Sequence, residues 1–415
     1  MPKSMKEALL LSDGIDDAVP QELGADGRRA GVEEDRYDDE TEYPFDVDKI
    51  SINPQVVPLT YLLQRLQEKT VSAPPLQRYA GIWDDKRQSR LIESLMLRIP
   101  LPLFYVAADT NENWLIVDGL QRITTLHRYI SKEEFALSGL EFVDEAQGLK
   151  FSELSAKYKN RIRDAQLQFA VVSSSTPAEV QRNIFKRLNT GGLPLTLQEI
   201  RHALYYGNSA GLLKTLSESS EFQKATTRSI DNSRMASCEL VLRFIAFLIR
   251  GVESYPTNDD MDAFLSETMQ LLNIMPDLSE KRMQKVFLKK PDKVQCNYTT
   301  FQDITFYFKK AMVAAFKIFG DCAFRKSTPL RKVRTPINKA LFETVGVILA
   351  AMPDADINNL VKNRRSLYKS LENRLGLGEG ELSMLISRDS YKKAAIQKRF
   401  EIFRAIFSEH SGAKA

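Results

Sequence analysis

An acid, a glycine, an amide and an arginine stand within five residues of one another at the end of an apolar run. Trp114-Leu115-Ile116-Val117 leads into Asp118-Gly119-Leu120-Gln121-Arg122 and on to Ile123-Thr124-Thr125-Leu126. A strand that turns at an acidic-glycine pair into an amphipathic helix suits phosphate chemistry. The first turn of a helix offers unpaired N–H groups and partial positive charge, a glycine there lets an anion approach, and an arginine can grip phosphate oxygens through two parallel hydrogen bonds. Asp118 then sits where it could hold a metal ion, a ribose hydroxyl or a water, and Gln121 could position a nucleophile or a phosphate. The same residues also fit a plain structural role, with Asp118 capping the helix and Arg122 in a surface ion pair.

Two flanking segments share this mixture of polar and turn residues. Upstream, Pro74-Pro75-Leu76-Gln77-Arg78-Tyr79-Ala80-Gly81-Ile82-Trp83 precedes the helix-like run Ser89–Arg98 and Ile99-Pro100-Leu101-Pro102. Downstream, Phe185-Lys186-Arg187-Leu188-Asn189-Thr190-Gly191-Gly192 precedes Leu193-Pro194-Leu195-Thr196-Leu197-Gln198-Glu199-Ile200-Arg201. In order and content these three blocks closely resemble the N-terminal domain family of GmrSD-type restriction systems, the domain of unknown function 262, over Ile50 to Tyr206.

That resemblance implies an α+β domain similar in fold to ParB and sulfiredoxin, with a nucleoside triphosphate, possible Mg²⁺ and DNA as its ligands. It implies a pocket with Asp118, Gln121 and Arg122 at the catalytic centre and Gln77, Arg78, Gly119, Asn189, Thr190, Gly191 and Gly192 around the nucleotide. Each has a structural alternative: Arg78 could pair with Glu93, and Gly191-Gly192 could simply end a helix. No metal ligands are assigned, although Asp118 and Glu199 are candidate carboxylates. The family's usual core is Asp-Gly-Gln-Gln-Arg; here Leu120 replaces the first glutamine and removes one amide able to donate and accept. Several relatives carry a C-terminal nuclease domain with a histidine-asparagine-histidine site. The three histidines here, His127, His202 and His410, are isolated, so any DNA cleavage is expected from a partner protein.

Composition bounds the reading. A chain of 415 residues with 43% hydrophobic content can form two or three domains with ordinary cores. No apolar run is long enough to span a membrane and no signal peptide is evident, which points to the cytoplasm. Three scattered cysteines, Cys238, Cys296 and Cys322, give neither a disulfide framework nor a zinc site. Charge is segregated: residues 1–48 carry five basic and fifteen acidic side chains, so the remainder is strongly basic. The acidic leader, residues 1–45, reads as mostly disordered, either a solubilising tail or a mask over a basic surface.

The rest divides into a domain over 46–207, a small sheet with helices, and an all-α domain over 208–415. Strand-like runs occur at Leu103–Ala107, Trp114–Val117 and Phe169–Ser173. Helix-like runs occur at Leu59–Lys69, Ser89–Arg98, Gln121–Ile130 and Thr196–Tyr206, with Thr176 as N-cap of a helix to Leu188 and Thr196/Glu199 as a capping box. Gly207-Asn208 breaks the pattern, after which helical periodicity dominates. Phe301, Phe306, Phe308, Phe316 and Phe319 have helical spacing and read as core, the competing role being a base-stacking platform. Between two later helices, Arg325, Lys326, Arg331, Lys332 and Arg334 form a basic segment that either follows a phosphate backbone or is a solvated loop.

The combined expectation is a nucleotide-binding, NTP-hydrolysing module of a DNA-targeting defence system. The alternative is a non-catalytic DNA-binding or adaptor protein that keeps an anion pocket. A nuclease acting through the central motif itself ranks last.

Overall fold

The computed structural model describes residues 31–33, 51–72, 83–109, 111–176, 180–181, 184, 196–230, 235–287, 296–330, 334–375, 380–387 and 390–412. Their fold is mixed α+β, a small five-stranded sheet in the N-terminal part followed by mostly helical chain. In order come β1 (Ile52–Pro58), α1 (Leu59–Gln67), β2 (Val71–Ser72), α2 (Asp85–Met96), β3 (Phe104–Ala108), β4 (Trp114–Asp118), α3 (Leu120–Leu126), α4 (Ala156–Arg163) and β5 (Gln166–Val172). After these come α5 (Leu197–Leu204), α6 (Asn208–Ser217), α7 (Ser220–Ala225), α8 (Ala236–Arg250), α9 (Met261–Ile274), α10 (Glu280–Val286) and α11 (Phe301–Phe319). The last are α12 (Lys339–Ala351), α13 (Asp354–Lys362), α14 (Arg364–Leu375), α15 (Glu381–Ser387) and α16 (Lys393–Ser411).

The chain forms two compact units. A sheet unit joins Tyr37–Ser217 to Asn232–Thr305, and a helical unit joins Met1–Arg36, Glu218–Asp231 and Phe306–Ala415. The boundary expected after residue 207 thus falls within the sheet unit. Gly207 is a clamped turn rather than a linker: Asn273 donates to the Tyr205 carbonyl at 2.8 Å and accepts from the Ser209 amide at 2.8 Å. A Cβ at Gly207 would lie 2.6 Å from Asn273, which is why the break carries glycine.

In the sheet, order β1-β5-β3-β4-β2, the pairs β1/β5 and β3/β4 are antiparallel and β3/β5 and β2/β4 parallel. Phe104, Trp114 and Phe169 stack on one face, with centroids 5.0 and 5.1 Å apart. Helices α1 to α4 close over them through Leu62, Ile92, Met96, Ile123 and Ile162. The other face, Ala107, Val117 and Val172, is covered by Ile200 of α5. Burial on both faces explains why β4 reads as an unbroken apolar run. The two edge strands were not visible in the sequence: β1 holds two prolines and exposes all but Val57, and β2 has two residues.

Capping sets the helix starts. The Thr196/Glu199 box forms as expected, Thr196 N–H donating to Glu199 Oε2 at 2.6 Å. Asp84 caps α2 through the Arg87 N–H at 2.7 Å, so that helix begins four residues before Ser89. Thr176, expected as an N-cap, bonds through its hydroxyl to the Ser51 backbone; of the helix beyond it, only Val180, Gln181 and Ile184 fall within the described residues, and these are helical.

In the helical unit, Phe308 and Phe319 are core as expected, whereas Phe306 is 62% exposed. Of the leader, residues 31–33 are described, and they are joined to this unit. Ile337 N–H donates to Gly31 O at 2.7 Å and Glu33 N–H to Ile337 O at 2.8 Å, with Val32 buried between.

Candidate active site

Asp118 owes its position to an irregularity in β4. Tyr105 pairs with Asp118 and Val106 with Ile116, so Val117 is an extra residue on that strand. Strict alternation would send Asp118 to the face of Trp114 and Ile116, into the core; a bulge bends the strand end and re-aims its side chain. Asp118 is instead 43% exposed. Gly119 follows with φ +94°, a conformation natural to glycine alone, and a Cβ there would lie 2.4 Å from the Phe104 ring. That close turn lets α3 start directly after the strand.

Arg122 lies one helical turn on and is only 12% exposed. Its guanidinium donates to Asp118 Oδ2 at 2.9 Å, to Leu103 O at 3.2 Å and to Pro102 O, and it sits 4.3 Å from the centre of the Phe104 ring. Burial pushes its pKa down while the Asp118 charge pulls the other way; an arginine's ordinary value is high enough that the charge persists. The arginine is therefore a fixed cation that locks one carboxylate oxygen. Asp118 Oδ1 and the half-buried Gln121 amide have no hydrogen-bond partner among the described residues. Leu120 is buried in the main core, so its position turns away from this opening. Beside it the buried Thr124 hydroxyl also lacks a partner, and burial together with Lys132 lowers the pKa of His127.

The three sequence blocks are related in part. Helix α2 packs on α3, with Gln88 accepting from Arg128 at 2.9 Å, and α5 packs on β4. Gln77, Arg78, Asn189, Thr190, Gly191 and Gly192 lie outside the described residues. Glu93, offered above as a partner for Arg78, is buried and spends its carboxylate on the backbone N–H groups of Glu141, Phe142 and Val143 at 2.7–3.1 Å. Glu199 is consumed by its capping box, and no cluster of three metal-ligating side chains occurs among the described residues.

The basic segment is described in part. Arg325 is turned inward, donating to Thr335 O, to Thr227 Oγ1 at 3.2 Å and to Ser229 Oγ at 2.8 Å, so it cannot track a phosphate chain. Lys326 pairs with Glu33 of the leader at 2.8 Å, and Arg334 is half-buried. Arg331 and Lys332 are outside the described residues. What sequence reasoning missed at the central site was Phe104 with the Pro102 and Leu103 carbonyls. Nothing local marks them, since the groups that hold Arg122 lie 18 to 20 residues upstream.

Residues 60–206 match the family model described as the GmrSD restriction endonuclease, N-terminal domain. The match spans the strand–turn–helix of Asp118 to Arg122 and both flanking blocks, and so places this segment with a component of restriction-like defence systems. Neither the curated proteins nor the solved structures compared with the chain yield a match. Among the described residues no helix is long and apolar enough to cross a membrane.

Proposed function

We propose that the chain is the nucleotide-handling component of a DNA-targeting defence system, with a site for a nucleoside triphosphate at the β4–α3 turn. The observation that carries this reading is the divided state of Asp118: one oxygen is locked by Arg122, while the other, beside the Gln121 amide and the start of α3, has no partner among the described residues. A carboxylate held in this way can orient a water or a nucleotide-borne Mg²⁺, which is commonly bound through one or two carboxylates plus substrate phosphates. Gln77, Arg78 and the Asn189–Gly192 loop would supply the remaining contacts, and a ParB/sulfiredoxin-like fold is the finer form of the α+β architecture. Leu120 does not argue against turnover, because its position faces the core. DNA cleavage would fall to a partner protein.

A second reading, a non-catalytic adaptor that keeps the pocket, is favoured by Arg122 alone, three of whose five N–H donors are already engaged by protein oxygens. Phosphate release from the four ribonucleoside triphosphates with Mg²⁺, with and without DNA, separates the two. Turnover by the native chain that is lost in Asp118→Ala supports the first reading. Nucleotide binding without release supports the second.

A further inference from the structure

We propose that the solvent-facing side of α11, with α13 as its opposite wall, is a groove for single-stranded nucleic acid. Phe306, Lys309, Lys310, Val313 and Lys317 of α11 face Asp354, Ile357 and Asn358 across an open cavity of ≈ 440 Å³, all within the helical unit. The ring of Phe306 stands 62% exposed on a helix whose Ile304, Phe308, Ala311, Met312 and Ala315 are buried. It packs edge-on against Tyr307 at 5.2 Å between centroids, which fixes its orientation.

The lysines supply the complementary charge. Lys317 makes no ion pair among the described residues; Lys309 reaches Glu221 at 3.2 Å, and Lys310 reaches Asp354 at 3.4 Å and Met352 O at 2.6 Å. An ion pair as exposed as that of Lys309 contributes little, so a phosphate can replace the carboxylate. Among the described residues, Asp354 is the one carboxylate that lines it. From Phe306 to Lys317 the helix rises roughly 16 Å, enough for a few nucleotides. A ring at one end and cations along the floor is the pairing that binds single strands, bases stacking on the aromatic and phosphates displacing counterions from the lysines. A duplex keeps its base faces within the stack, and an acidic peptide would use the lysines but not the ring. This groove lies outside the matched segment and does not rest on the nucleotide reading.

The test is fluorescence anisotropy of the full chain with a short labelled oligothymidylate across a salt series. Phe306→Ala should weaken binding roughly five- to hundredfold without altering the melting temperature, because the ring is exposed. The triple change Lys309→Gln, Lys310→Gln, Lys317→Gln should lower the salt slope by about 2. Asp118→Ala should leave oligothymidylate affinity unchanged, which separates this groove from the nucleotide site. The proposal is overturned if the native chain does not bind, if neither variant changes affinity, if a duplex binds as well with no dependence on Phe306, or if polyglutamate of equal charge competes equally. The last result would assign the groove to an acidic protein partner.

Discussion

At the scale of single residues, Asp118 does not cap α3, whose N-cap is Gly119. The ion pair that the sequence offers as a surface alternative does form, yet it leaves one carboxylate oxygen open. Asp118→Asn should therefore change stability by no more than about 1 kcal/mol, since the pair is partly exposed, while abolishing triphosphate turnover. Thermal melting beside phosphate release checks both halves. Gly119→Ala should behave in the opposite way. Its left-handed φ alone costs about 1–3 kcal/mol in any other residue, and the new methyl must displace the Phe104 ring, so a fall in melting temperature should precede any effect on chemistry. Asp118, Gln121 and Arg122 were legible because a strand, a glycine turn and a helix bring them together within five residues. Phe104 and the carbonyls that hold Arg122 were not, because nothing in a linear pattern reports what packs across a sheet.

At the scale of elements, the buried Glu93 carboxylate shows how a helix fixes a loop. It accepts four N–H···O contacts from residues 141–143, and Arg90 adds a surface pair to Glu141. Glu93→Leu takes the acceptor from three N–H groups, of which the buried one at Val143 costs about 1–3 kcal/mol, so destabilisation with raised amide exchange at 141–143 is expected. Little exchange difference would mean that the loop is held by other contacts. Buried Arg399 and Glu343 join α16 to α12 in the same manner. Glu343→Leu removes a fully buried carboxylate from Arg399 and should cost about 3–5 kcal/mol, whereas the double change to apolar residues of matching volume should recover most of it in a thermal melt. Helices with caps and three- and four-residue periodicity were readable in advance. Edge strands β1 and β2 were not, one broken by prolines and the other too short for any alternation to register.

At the scale of the whole molecule, the helical unit is assembled from three separate stretches of chain. Composition left the leader either a solubilising tail or a mask over a basic surface, and it could not reveal that Gly31, Val32 and Glu33 bridge to Ile337 and that Glu33 pairs with Lys326. Gly31→Ala places a methyl 2.1 Å from the Ser229 carbonyl oxygen at φ +60°, and should release this bridge. Limited proteolysis near residue 33 and exchange at Ile337 should both rise; an unchanged pattern would show that the bridge contributes little. The hydrogen bond from Asn338 to Glu33 joins residues 305 apart in the chain. At ordinary synthesis rates of ~5–20 residues per second, Glu33 is added to the chain roughly fifteen to sixty seconds before Asn338 exists to receive it. The sheet unit, complete at Thr305, has a head start in that interval, and the helical unit can close only after translation has passed well beyond it.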